Sequence, residues 1–273
     1  MLREALGGRA AFLAPEPAAW DDLARVHTAE YLNKIRAGTL SFEEIARLEL
    51  PWSRELSEGF RLMVGGTILA AERALDAGVS IHLGGGFHHA FADHGEGFCM
   101  FNDVAVAIRR LQRDGRIRRA AVVDCDVHHG NGTAMIFAGD ADVFTFSIHQ
   151  QHNYPSWKPP SDLDIGLPDG TRDEAYLGKL DEGVHAVIRH QPEVVAYVAG
   201  ADPFKEDQLG GLALTKDGLR RRDRMVFDAC RNAGTPVFVT LAGGYARRVE
   251  DTVDIHLGTI EEGISALVSP GQA

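Results

Sequence analysis

The chain has 273 residues, 45% of them hydrophobic and 25% charged, a balance that suits a globular enzyme with a well-buried core. Its 28 basic residues are outnumbered by 39 acidic ones for a formal net charge of -11, which argues against a phosphate-binding surface for nucleic acid and favours a cationic substrate or partner. Cys99, Cys125 and Cys230 lack disulfide-framework spacing, no apolar stretch reaches the roughly 20 residues that span a bilayer, and Met1 to Ala5 does not open a signal peptide, so the expected setting is the cytoplasm, with no membrane partner.

From Met1 to about Asp76 the pattern is helical and loopy. Trp20 to Ala37 reads as one amphipathic helix, with Val26, Tyr31, Leu32 and Ile35 at helical spacing, and Ser41 to Glu44 resembles a capping box. Met63 to Ala77 is a second helix, leading to a strand at Val79 to Leu83. The alternation then becomes regular: helix Asn102 to Arg113, strand Ala120 to Asp126, a helical turn at Thr133 to Phe137, and strand Val143 to Ile148. Gln150 to Thr171, with four prolines, reads as a long irregular segment, and long loops at a ligand edge are usually functional. Helix Glu174 to Arg189, strand Glu193 to Ala199, helix Lys216 to Asn232, strand Pro236 to Leu241 and a helix from Val249 to Leu267 follow. Repeated strand-helix units predict an α/β fold, a single open parallel sheet with helices on both faces, in one domain over 1–273.

The chemistry concentrates where strands end. Ala120 to Val123 is a continuous apolar run, as in a strand buried on both faces, and it ends in Asp124, Asp126 and His128, whose i, i+2 spacing predicts one shared side. His88-His89 follows a second strand and three glycines, and Asp202 ends a third. A lone Asp-x-His is as well explained by a helix cap and a core histidine. Three strand ends converging on carboxylates and imidazoles favour a ligand site at the carboxyl edge of the sheet.

The blocks GGGFHHAFADHGEGFCMFND, VVDCDVHHGNG, AGADPFKEDQLGGLALT and LAGGY, in that order, resemble the histone deacetylase family over about Val64 to Glu262. The segment SDLDIGLPDGTRDEAYL looks most like its class IV and bacterial deacetylase-like branch. The resemblance implies an arginase/deacetylase-like fold and a zinc-dependent amidohydrolase that removes acetyl or longer acyl groups from lysine side chains of proteins or peptides. It puts the catalytic zinc on Asp126, His128 and Asp202, consistent with three N/O ligands and an open position. It pairs His88 with Asp124 and His89 with Asn131. The carboxylate then favours a charged His88 and the amide leaves His89 as the general base. Tyr245, after Gly243-Gly244, would hydrogen-bond the oxyanion, and Gly97, Phe98 and Leu209 would line the acyl-lysine pocket. A structural K⁺ would sit at Asp124, Asp126, His128, Ser147 and Ile148, largely on main-chain oxygens.

Two features depart from the family pattern. Its usual opening strand and loop are not found before Leu2 to Leu6, so the first strand is expected to be missing and the pocket mouth more open. Gln150 to Pro160, with Trp157-Lys158, matches nothing that fixes the rim. Competing readings remain: an acetylpolyamine or other small-amide deacetylase with the same metal and histidines, or an idle acyl-lysine-binding relative, although such relatives tend to lose ligands that this chain keeps. A binuclear ureohydrolase would need an Asp where Gly130 stands.

Overall fold

The computed structural model describes residues 1–267, so the last six positions of the predicted 1–273 domain lie outside the described residues. The elements run α1 (Leu2–Leu6), α2 (Trp20–Leu23), α3 (Ala29–Ala37), α4 (Phe42–Leu48), α5 (Arg54–Ala77), β1 (Val79–His82), α6 (Asp103–Arg113), β2 (Ala120–Asp124), α7 (Asn131–Ile136), β3 (Val143–Gln150), β4 (Leu163–Leu167), α8 (Asp173–Arg189), β5 (Val194–Val198), α9 (Lys216–Ala233), β6 (Val237–Thr240) and α10 (Val249–Leu267). Six strands form one sheet in the order β1-β6-β5-β2-β3-β4, every neighbouring pair parallel.

The sheet is buried on both faces, as parallel sheets are. Alternate residues of β2 divide between two cores: Ala120 and Val122 pack with the α5 and α6 side, Ala121 and Val123 with the α8 and α9 side. The α5 stripe Phe60, Val64, Ile68 and Ala71 lies at helical spacing and faces the first core. Ser53 caps this helix by accepting from the Leu56 amide at 3.0 Å, which starts it upstream of the expected Met63. Among the described residues no strand precedes β1.

Two expectations need correction. The helix expected over Trp20 to Ala37 is broken. Thr28 caps α3 by accepting from the Tyr31 amide, while Thr28 N donates to Ala92 O at 2.8 Å and His27 Nδ1 meets Phe91 O at 3.0 Å. A local cap and ties to a distant loop outweigh the helical periodicity. The segment Gln150 to Thr171 also contains a strand, β4, which extends the sheet edge against Phe146 to Gln150 of β3. The Ser41–Glu44 capping box forms in both directions.

Candidate active site

At the carboxyl edge of the sheet lies a cavity of about 300 Å³, walled in part by Gly97, Phe98, Tyr154, Leu209 and Tyr245 and floored by His88, His89, Asp126, His128 and Asp202. The expectation that strand alternation aligns Asp124, Asp126 and His128 is corrected: β2 stops at Asp124 and the next residues turn. The turn is held by carboxylates, two of its own and one from Asp202, accepting from its backbone amides. Asp126 N donates to Asp124 Oδ1 at 3.2 Å, His128 N donates to Asp126 Oδ1 at 2.9 Å, and Val127 N donates to Asp202 Oδ1 at 2.9 Å. The short polar side chains that make the site also make the turn that presents it.

Each of the tandem histidines meets a buried partner through Nδ1. His88 Nδ1 lies 2.6 Å from Asp124 Oδ2, and His89 Nδ1 lies 2.7 Å from Asn131 Oδ1. Both rings are buried, yet they differ in charge. Burial opposes a proton on His88, but the charges of Asp124 and then Asp126 overcome it and raise the ring to about 9. For His89, burial followed by the positive charges of His88 and His128 holds the ring well below the ordinary imidazole range.

Asp126, His128 and Asp202 form a tight buried group that fits a metal ion. His128 Nδ1 is 3.0 Å from Asp126 Oδ1 and 3.4 Å from Asp202 Oδ2, and Asp202 Oδ2 is buried without a hydrogen-bond partner. With only protons to balance the two carboxylates, burial and the Asp126 charge push Asp202 up to about 7. Burial opposes a charge on His128, but its hydrogen bond to Asp126 and the nearby Asp202 carboxylate raise it to about 10. Such a donor set is short of a cation. The backbone closes over it: Gly243 N donates to Asp126 Oδ2 at 3.0 Å, and a Cβ at Gly243 would lie 2.3 Å from Asp202 Oδ2. Glycine is the residue that fits there.

Tyr245 follows on that turn, its amide donating to Asp207 Oδ2 at 2.6 Å, and burial followed by the Asp126 and Asp202 charges keeps its hydroxyl protonated. Phe98 and Leu209 line the cavity and remain 39% and 44% exposed, because they face its open space. Phe98, at φ 65, donates its amide N–H to Leu48 O at 3.0 Å, so the last turn of α4 supports this wall. Ser147 stands beside Asp124 in the β2–β3 register and Ile148 follows it. The Ser147 hydroxyl itself is engaged with His149 Nδ1 at 2.9 Å.

Tyr154 and Glu96 were not foreseen. Tyr154 stands edge-on to His89 at 4.9 Å between ring centroids and donates its hydroxyl to Glu96 Oε1. Glu96 lies within the first block that carries the family resemblance and Tyr154 in the unmatched loop after β3, and nothing local to either signals the contact. A second group, His129, His149 and Asp164, lies outside the cavity lining.

A six-stranded parallel sheet carrying tandem histidines opposite an Asp-His-Asp group at its carboxyl edge defines the arginase/deacetylase class of α/β folds. Residues 1–260 match the histone deacetylase domain, and the chain belongs to the histone deacetylase family, which makes it a hydrolase of the deacetylase and amidohydrolase type. An uncharacterized protein of Picosynechococcus sp. is 44% identical over 239 residues, covering 87% of this chain and 79% of that protein. Histone deacetylase 2 of Arabidopsis thaliana is 34% identical over 258 residues, covering 89% and 67% respectively. Among solved structures, the HDA15 HD domain matches with a TM-score of 0.80 at 25% identity, over 97% of this chain and 83% of that one.

Proposed function

We propose that the protein is a zinc-dependent deacylase acting on acyl-lysine side chains of proteins or peptides. The observation that carries this reading is the contrast between two adjacent buried histidines, one paired with a carboxylate and one with an amide, lining one cavity together with Asp126, His128 and Asp202. These three would hold the divalent ion, which when bound polarises the amide carbonyl and lowers the pKa of water. His89 Nε2 takes a proton from the attacking water as it adds to the carbonyl carbon. The same atom then delivers that proton to the amine nitrogen as the C–N bond breaks. His88, held positive by Asp124, stabilises negative charge without giving up its proton. The Tyr245 hydroxyl donates to the carbonyl oxygen as charge develops there.

Phe98, Leu209 and Tyr154 supply apolar walls suited to the methylenes of a lysine, and Gly97 lets Tyr154 close in on this wall, since a Cβ there would lie 2.9 Å from Tyr154 Oη. A structural K⁺ held largely on main-chain oxygens around Asp124, Asp126, His128, Ser147 and Ile148 belongs to the same reading. The test is a panel of acetyl- to myristoyl-lysine peptides alongside acetylpolyamines, assayed in one preparation before and after chelation and zinc add-back. Turnover of lysine peptides that is lost on chelation and restored by zinc is the expected outcome. Preference for acetylpolyamines would move the substrate to small acylated amines. Binding without turnover would identify an idle acyl-lysine-binding relative.

A further inference from the structure

Glu96 receives donors from three directions. Its Oε1 accepts from Asn131 Nδ2 at 2.6 Å and from the Tyr154 hydroxyl at 3.1 Å, while Oε2 faces His94 Nε2 at 3.5 Å. Its backbone is pinned by reciprocal hydrogen bonds with Cys99, N to O at 3.1 Å and O from N at 2.9 Å, so the carboxylate is aimed rather than free. Burial works against its charge, but the donors from His94, Asn131 and Tyr154 hold it below the ordinary glutamate range.

Asn131 is buried, and its carboxamide has two nearly isosteric ends, one that only donates and one that only accepts. Which end faces His89 decides which ring nitrogen carries the proton. A carboxylate accepts and never donates, so Glu96 admits only the NH₂ end of Asn131. That turns Oδ1 toward His89 Nδ1, 2.7 Å away, where it accepts from an Nδ1–H. The Nε2 lone pair is then left facing the cavity, where a base must present it.

We infer that Glu96 is a positioning residue, which fixes the amide orientation of Asn131 and through it the Nδ1–H tautomer of His89, and that its bond to Tyr154 ties the pocket wall to the same carboxylate. The catalytic consequence rests on the deacylase reading, whereas the tautomer does not.

The test is a two-residue cycle with two readouts. Glu96→Ala frees the amide to rotate and should lower kcat about 10- to 100-fold, the range for losing an outer-shell partner, with little change in KM. Glu96→Gln, nearly isosteric, should lose about tenfold. Asn131→Asp sets two carboxylates against each other and should lose at least about 100-fold. In the double variant Glu96→Gln/Asn131→Asp, the introduced amide NH₂ donates to the introduced carboxylate, which in turn accepts from His89 Nδ1–H. It should therefore exceed the Asn131→Asp single variant by at least about tenfold, a reversal that independent structural losses do not produce. Multiplicative losses across the cycle, or wild-type kcat in Glu96→Ala, would overturn the inference. Separately, long-range ¹H–¹⁵N spectra of the His89 ring, assigned with His89→Ala, should show Nδ1 protonated in the wild type and a mixture of tautomers in Glu96→Ala. A single unchanged tautomer in both would also overturn it. If the wild type turns over nothing in the substrate panel, the deacylase reading fails and the spectra still decide the role of Glu96.

Discussion

His88 and Asp124 form the shortest of the contacts that distinguish the two tandem histidines, 2.6 Å between Nδ1 and Oδ2, while the next ring along meets only a neutral amide. The same residue type is thus given two charge states by its partner. His89→Ala should lower kcat by about 10²–10⁴, the usual contribution of a general base, while the metal content is unchanged. His88→Ala should be milder. Steady-state kinetics with metal quantified by mass spectrometry check both, and equal small losses would contradict the division of roles.

The unpartnered Asp202 Oδ2 gives a prediction about binding. Asp202→Ala should abolish both divalent-ion retention and turnover. Gly243→Ala should weaken retention as well, because the added methyl would press on that carboxylate oxygen. Zinc titration against a chromogenic chelator reads both variants, and full activity in metal-free protein would end the metal-dependent reading.

Tyr245→Phe removes a hydroxyl and little else. The expected loss in kcat is about 10²–10³ with KM nearly unchanged, the pattern for a donor engaged only as charge develops. A variant with wild-type turnover would take Tyr245 out of the chemistry.

The depressed pKa of His89 sets the sign of the pH dependence. The ring serves as a base only when neutral, and burial together with the charge of His88 disfavours its protonation, so activity persists until the pH falls through that lowered pKa. The acid limb of kcat/KM should therefore lie below the free-imidazole value of about 6.5. An acid limb at or above it would assign the base to another group.

Arg222 on α9 is fully buried, donating Nε to Asp223 Oδ1 at 2.9 Å and Nη1 to Gly200 O at 2.6 Å, two residues before Asp202. Arg222→Met strands Asp223 and should cost about 3–5 kcal/mol of stability, the range for breaking a buried ion pair from one side. Denaturant unfolding monitored by circular dichroism measures it. A change under about 1 kcal/mol, well short of that range, would mean that Tyr197 and Thr259, which also donate to Asp223, suffice.

The sheet was legible because its central strands are unbroken apolar runs, as Ala120 to Val123 shows, and the candidate site because its carboxylates and imidazoles stand just after those runs. What stayed hidden depends on partners far along the chain. β4 is short, alternates in burial at the sheet edge and follows a proline-rich stretch, so nothing local marks it as a strand. Thr28 looks like any helix residue until its amide finds Ala92. Glu96 meets Asn131 and Tyr154 only because the loops after β1 and β3 converge on the start of α7, and Arg222 reads as one more cation on a basic helix face.

Phe98 at φ 65 and Ala242 at φ 53 both line the cavity in left-handed backbone that favours glycine. Each such residue costs on the order of 1–3 kcal/mol, only partly offset by the roughly 0.5–1 kcal/mol that a glycine would lose in chain entropy. Folding and substrate recognition therefore pull in opposite directions at the wall. Selection of this protein for heat resistance alone should replace Ala242 by glycine before Phe98, because at Ala242 only a methyl is lost, whereas Phe98, 39% exposed, would also forfeit most of the packing of its ring.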